Sequence, residues 1–207
     1  YTLGKEISIN VAYSKAVVVS GTPTLTLNAG TRDVVLNYVS GSGSSSLLFT
    51  YVVAQGDLTT QLDIKATDSL YVAGGLITDR AGNIAVNTLP TPGSATSLVG
   101  SKQLAIDGIP PVKPTVLSAS GVDGISLDWY DNSETDLQEY RIYSCSGLVA
   151  SSCSSPSAFS VLSSVAAGTS TFDHIAVGRG ITYYYYVTAV DIRGNEGPAS
   201  DVVSWFL

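Results

Sequence analysis

An all-β fold is predicted for this chain: two antiparallel β-sandwiches in tandem. Three observations lead there. Apolar residues alternate with polar ones at period two along most of the chain, the mark of strands with one buried and one wet face. Gly, Ser, Pro, Asn and Asp clusters interrupt these runs at short intervals, as turns between many short strands do. The 207 residues also carry one proline-rich break near their middle, which leaves two pieces of sandwich size.

The strands can be followed in order. Ile7, Ile9 and Val11 alternate with Ser8 and Asn10, and Leu25 and Leu27 with Thr24 and Thr26. Leu47, Phe49, Tyr51 and Val53 repeat the pattern, as do Ile125, Leu127 and Trp129. Gly41–Ser45 and Thr91–Ser94 are typical of the stretches between. No segment sustains a 3.6-residue period beyond a turn or two, so no long helix is expected. The break is Asp107–Pro114, where Pro110, Pro111 and Pro114 fall close together. Such a run is excluded from a central strand and favours an extended, semi-rigid connection. The expected units are 1–109 and 114–207, joined by a linker over 110–113. A short echo links them: Asp79–Asn83 and Asp191–Asn195 share the pattern D-x-x-G-N late in each unit.

Composition narrows the function. Charged residues make up 13%, the formal net charge is −7, and Lys and Arg together number 10. An acidic chain of this kind lacks the basic footprint that phosphate backbones require, which excludes nucleic acid and a polybasic membrane contact. The longest aliphatic run, Ala16–Val19, is far short of the roughly 20 residues of a membrane span. There is no Met, so the chain reads as a fragment of something longer. With His174 the single histidine and no G-x-S-x-G elbow, a Ser-His-Asp device has little to work with. Two cysteines and one histidine do not assemble a zinc site, and no phosphate-cradling glycine loop is present. These counts point away from catalysis and from any cofactor other than a hard cation.

From about Pro114 onward, specific residues carry a resemblance. They are Ile125, Leu127 and Trp129; Asp136, Leu137, Tyr140, Arg141, Ile142 and Tyr143; and Gly180, Tyr183, Tyr185, Val187, Ala189, Val190 and Asp191. In this order they resemble the second, third and sixth strands of a fibronectin type III domain. The resemblance implies that Trp129 is a core residue. It also implies that Tyr183 takes the tyrosine-corner place, its hydroxyl bonding back to nearby backbone. Tyr185, Val187 and Ala189 then face the core, leaving Tyr184 and Tyr186 on the outer face.

The first unit is similar to the bacterial Ig-like repeats of large surface adhesins and biofilm-associated proteins. The text that matches is Tyr1, Leu3, Gly4, Ile7, Ile9, Val11, Tyr13 and Ser14, then Val19–Asn28, Tyr38–Gly43, and Leu47, Phe49 and Tyr51. Gly74, Gly75, Ile77, Asp79, Ala81, Gly82, Asn83, Ile106 and Asp107 close it. Members of that family carry one more strand upstream of the position of Tyr1, so the resemblance implies that this chain starts late, with an incompletely covered edge. It further implies a spacer or adhesive repeat rather than a catalyst.

Individual residues have a structural and a functional reading. Cys145 and Cys153 lack the partners a metal would need, so a disulfide closing a hairpin loop is expected. Such a loop contributes about 2.5 kcal/mol in the chain-entropy model and points to an exported protein. In the D-x-x-G-N segments, Asp and Asn cap turns and Gly supplies a positive φ; the functional alternative is calcium, which relatives of the first unit use to stiffen junctions. On the fibronectin pattern, the loops after the second and sixth strands hold Asp131, Glu134, Asp136 and Asp191, at the end that receives Asp107. These five carboxylates are the candidate Ca²⁺ ligands. Tyr184 and Tyr186 are either cross-strand packing or an aromatic platform for a glycan or protein ligand. His174 is expected to be structural, with Asp173 on the opposite face of its strand. Trp205 either finishes the last strand or faces a neighbour.

The expected function is a non-catalytic stalk or presentation module of a bacterial cell-surface or secreted protein, partnered by neighbouring domains of its parent. Two alternatives stand beside it. One is an adhesin tip recognising a surface glycan or protein; the other is an accessory spacer of a secreted polysaccharide hydrolase. Fold alone does not choose among them.

Overall fold

The computed structural model describes residues 1–147 and 153–207. The chain divides into two compact units, Tyr1–Ile109 and Pro110–Leu207. Among the described residues, no helix is long and apolar enough to cross a membrane.

The first unit contains β1 (Glu6–Ala12), β2 (Val17–Ser20), β3 (Thr24–Asn28), β4 (Asp33–Ser40) and β5 (Ser46–Val52). The short pieces β6 (Leu58–Thr59), β7 (Asp63–Ile64), β8 (Leu70–Tyr71) and β9 (Leu76–Asp79) follow, then one helical turn, α1 (Leu98–Ser101), and β10 (Ile106–Asp107). The main sheet has the order β1-β5-β4-β3-β7, with β8 also on β3, while β2 pairs with β9 and β6 with β10. Period-two alternation produces this core directly. In the β1–β5 ladder Ile7, Ile9 and Val11 lie opposite Tyr51, Phe49 and Leu47. Leu25, Leu27, Leu47, Phe49 and Tyr51 are wholly buried, each such side chain contributing about 1.5–3 kcal/mol on transfer from water. The β4–β5 hairpin needs glycine at Gly41, because φ is +115° and a Cβ would meet the Ser46 carbonyl oxygen at 2.1 Å. The irregular segment after β9 is pinned by Asp63. Its carboxylate accepts from the Gly93 N–H (2.7 Å), the Ser97 hydroxyl (2.9 Å) and the Leu98 N–H (3.1 Å).

The second unit contains β11 (Thr115–Ser120), β12 (Ile125–Tyr130), β13 (Leu137–Gly147), β14 (Ser160–Ala166), β15 (Thr171–His174), β16 (Thr182–Asp191) and β17 (Val203–Phe206). Three strands in the order β11-β12-β15 form one sheet, and four in the order β14-β13-β16-β17 form the other. Strict alternation buries Ile125, Leu127 and Trp129 on β12, and Tyr140 and Ile142 on β13. Tyr185, Val187 and Ala189 of β16 are wholly buried in the same core. Trp129 meets Tyr140 edge-on at a centroid distance of 5.4 Å.

Residues 110–113 are part of this second unit. The Val112 N–H donates to Glu134 Oε1 at 2.6 Å, and Asn132 Nδ2 donates to the Val112 carbonyl at 2.8 Å. The proline-rich stretch is thus held by hydrogen bonds as well as by the stiffness of its prolines. Two further contacts give the unit a direction. Lys113 pairs with Asp201 at 2.7 Å before β11 and β17 begin, and Trp205 Nε1 donates to the Gly121 carbonyl at 3.2 Å where they finish. The first and last strands therefore run side by side in one direction. The chain enters this unit at one pole and leaves it at the other.

Candidate functional site

The two D-x-x-G-N segments fold into the same turn. Asp79 Oδ1 accepts the N–H groups of Ala81 and Asn83, each at 2.9 Å, and Oδ2 accepts Asn83 Nδ2 at 2.8 Å. Asp191 Oδ1 accepts from Arg193 (2.8 Å) and Asn195 (2.9 Å), and Oδ2 accepts Asn195 Nδ2 at 2.7 Å. Gly82 and Gly194 take φ of +87° and +91°, a region that glycine enters without a steric penalty. The side chains build a hairpin connection, as Asx chemistry predicts. Asp79 also accepts from Lys15 Nζ at 2.6 Å. The Asn83 and Lys15 bonds hold its carboxyl far below the usual carboxylate range.

The five acidic candidates divide between the units. Asp107 lies on β10 of the first, buried, with Oδ1 accepting the Ile109 N–H at 3.1 Å. In the second, Asp191 is buried inside its turn, Asp136 is half-buried and Asp131 is exposed. The Asp136 carbonyl accepts the Ile192 N–H at 2.8 Å, which ties the loop after β12 to the loop after β16. Glu134 uses Oε1 for the Val112 N–H, while its Oε2 is buried with no hydrogen-bond partner. That oxygen is the one orphaned carboxylate atom among the described residues.

The outer face of the four-stranded sheet gathers the other polar groups. Register places Tyr143 opposite Tyr186 and Arg141 opposite Thr188. The two tyrosine rings stack at 4.6 Å, and Phe159 leans on Tyr186 at 4.9 Å. Glu196 accepts from the Tyr143 hydroxyl (2.7 Å), the Thr188 hydroxyl (2.6 Å) and Arg141 Nη1 (2.8 Å). Burial alone would raise the Glu196 carboxyl, but these donors and the guanidinium outweigh it and hold it below its ordinary value. Burial, then the bond to Glu196, pushes the Tyr143 phenol up to about 12. Tyr184 and Tyr186 are both half-buried on this face. Tyr186 is engaged in the ring cluster, so this is a self-satisfied network rather than a bare platform.

The remaining sequence candidates fall into place as structural elements. Trp129 is buried in the second core. The Tyr183 hydroxyl accepts the Gly178 N–H at 2.7 Å, a bond back to backbone five residues upstream. Cys145 and Cys153 are bonded; residues 148–152 of the loop they close lie outside the described residues. His174 Nδ1 lies 2.9 Å from the hydroxyl of buried Tyr185. Burial holds its pKa below the usual imidazole value. Asp173 points away, accepting from Ser126 Oγ at 2.6 Å. Trp205 finishes β17 and packs against the second core.

Sequence reasoning missed Asp57 of the first unit. Its carboxylate is wholly buried and accepts from Arg32 through both oxygens (2.6 and 3.1 Å), from the Tyr51 hydroxyl (2.8 Å) and from the Ala54 N–H (2.9 Å). Burial would raise its pKa, and these four donors reverse the sign, leaving it lowered. The signal available was thin: a lone Asp after Gly56 reads as an ordinary turn.

No family model matches the chain, and no curated protein matches it. Solved structures do. The fibronectin domains FN1–FN3 of chicken CNTN1 match over 99% of this chain and 64% of theirs, at 12% identity and a TM-score of 0.51. A fibronectin-like protein from Clostridium thermocellum covers 45% of this chain and 86% of its own, at 19% identity and a TM-score of 0.33. Pectate lyase PelI from Erwinia chrysanthemi, solved in complex with tetragalacturonic acid, covers 44% of this chain at 22% identity and a TM-score of 0.37. This chain spans 28% of that lyase's length. At such identities the likeness is one of fold: the chain is built of antiparallel β-sheets, and the fibronectin likeness fits its second unit.

Proposed function

We propose that the chain is a non-catalytic spacer or presentation module of a bacterial cell-surface or secreted protein. The observation that carries this reading is the direction of the second unit, which the chain enters at one pole and leaves at the other. A unit with that geometry adds length when others are joined to either end. The disulfide supports an oxidising compartment, and the motifs shared with Ig-like adhesin repeats support the surface assignment. Tyr186 is assigned to packing, because it is stacked on Tyr143 and tilted against Phe159. The test is a screen of the chain against peptide, ester and glycoside substrates together with a glycan array. No turnover and no saturable binding are expected. Turnover that survives His174→Ala and repurification would reveal a carboxylate pair at work and overturn the proposal.

One observation favours adding Ca²⁺ to this reading. The buried, orphaned Oε2 of Glu134 is a hard oxygen donor of the type that calcium takes. An ion bound through Glu134 would brace the loop that ties residues 110–113 to the second unit. Extracellular calcium sites bind in the range of roughly 10⁻⁴–10⁻³ M, so several millimolar calcium is expected to raise the second unit's melting temperature by mass action. Glu134→Gln should abolish the rise. Identical melts with calcium and with chelator would remove calcium from the account.

A further inference from the structure

β15 is an edge strand of four residues, paired with β12 and with no other strand among the described residues. Phe172 and His174 turn inward from it, Thr171 and Asp173 outward. The inward imidazole of His174 crosses the sandwich to the opposite sheet. It stands nearly at right angles to the rings of Tyr183 and Tyr185 on β16, at centroid distances of 5.7 and 5.9 Å, and its Nδ1 meets the Tyr185 hydroxyl at 2.9 Å. Residues 175–181 then lead from one sheet to the other. They are fastened by Val177 and Ile181, which pack on the core, and by the Gly178 N–H, which donates to Tyr183 Oη. Arg179 adds an exposed ion pair with Asp123, which is worth little.

The role of Nδ1 follows from what surrounds the hydroxyl. Tyr185 is wholly buried, and Nδ1 is the one partner of its hydroxyl among the described residues. A buried O–H with one neighbour must donate to it or stay unpaired, and the unpaired state is costly. Tyr185 therefore donates, and Nδ1 accepts as the bare nitrogen of a neutral ring. A proton on Nδ1 turns that acceptor into a second donor and strands the phenol proton in the core. The new charge finds no counter-charge. β16 faces the ring with two phenols, and β12 sets Ile125 opposite His174. Asp173, on the same strand, points away to Ser126 Oγ. Asp123 of the β11–β12 turn is exposed and already paired with Arg179. Burial is left to act on the imidazole, and it favours the neutral form.

We infer that His174 is an acid-released latch: its protonation frees β15 and the 175–181 crossover from β16 while the rest of the second sandwich stays folded. The four-stranded sheet and the Trp129–Tyr140 contact do not involve this residue, so they do not depend on the latch. The part that opens is held on its own side by a four-residue ladder alone. Opening bares the apolar side chains of Val177 and Ile181 and the ring of Tyr185, so the unit presents in mild acid an apolar surface that it conceals at neutral pH.

The test is residue-resolved amide exchange on the whole chain, at pH 7.5 and 5.5 and in dilute urea, with protection taken relative to the unstructured rate at each pH. The Trp129 N–H donates to the Ser170 carbonyl, which sets the ladder so that Phe172 and His174 bond to β12. The amides of Phe172, His174 and Gly178 therefore report the latch. The Val187 N–H, bonded to Ser200 Oγ in the core, reports unfolding of the unit. Urea sensitivity scales with the area exposed, so the latch amides should be less protected than Val187 and nearly flat in dilute urea, whereas Val187 responds steeply. The open latch takes its proton near the ordinary value of about 6.5, so latch protection should fall by up to about tenfold from pH 7.5 to 5.5. His174→Gln keeps an acceptor for Tyr185 without titrating, and its latch amides should hold the same protection at both pH values. If that variant does not fold, the imidazole titration of the wild-type chain, followed by NMR, replaces it and should have its midpoint below about 6.5. Four results would each overturn the inference: latch protection unchanged by pH, latch amides with the protection and urea slope of Val187, a fall that persists in His174→Gln, or an imidazole midpoint at or above its ordinary value.

Discussion

Alanine at position 57 is expected to destabilise the first unit by about 3 kcal/mol, the cost of stranding buried donors and one partner of a charge pair. Asp57 is the shared acceptor of Arg32, Tyr51 and Ala54. Arg32 is half exposed and can turn to water, so most of the loss comes from the buried Tyr51 hydroxyl and the Ala54 N–H. Asp57→Asn keeps an acceptor and should lose roughly half as much. Urea titration followed on the first unit's transition measures both. The pH dependence has a definite sign. Because the folded pKa of Asp57 is depressed, its contribution is complete above the unfolded value of about 4 and is lost as pH falls through the folded value. His174, also depressed, is held neutral in the second unit. Its contribution is complete above the unfolded value of about 6.5 and declines as pH drops below it. The second unit should therefore begin to weaken at a milder acidity than the first.

Trp129→Ala should cost the second unit about 3–5 kcal/mol, the range for emptying a buried aromatic site. Trp129 is 1% exposed and abuts Tyr140 edge-on, so its removal opens a cavity between the two sheets and forfeits the ring contact. Trp129→Phe should cost far less than the alanine variant, and less than its lost area alone indicates. The indole Nε1 is buried without a hydrogen-bond partner, and phenylalanine discards that unpaired donor. Thermal melts of the two variants, read on the second unit's transition, check the order. Near-equal losses would place the energetic weight elsewhere than the indole ring.

The sequence spoke most clearly where burial and period coincide. Tyr185, Val187 and Ala189 alternate with outward residues, and all three are wholly buried. The D-x-x-G-N segments were legible for another reason: Asp, Gly and Asn each have one local task in a turn, which needs no knowledge of the rest of the fold. Asp57 and Asp63 were not legible. Asp57 joins the nearby Tyr51 and Ala54 to Arg32, 25 residues away, and Asp63 reaches Gly93 to Leu98, 30 or more residues away in sequence. The same holds for Glu196, whose donors Arg141 and Tyr143 arrive from a different strand. A carboxylate that organises distant donors leaves no local pattern, whereas a strand announces itself every second residue.

The spacer reading is tested most directly by stretching single molecules held at the two ends of the chain. Two separate unfolding steps are expected, one per compact unit, each releasing roughly 3.3–3.6 Å per unfolded residue. The Cys145–Cys153 bond withholds its loop from the second unit's step, so reductant should lengthen that step by about 2 nm and leave the first unit's step unchanged. On relaxation both units should refold and give the same two steps again. A single step covering the whole chain, or smooth extension without steps, would contradict an assignment of these units to bearing and transmitting distance between domains.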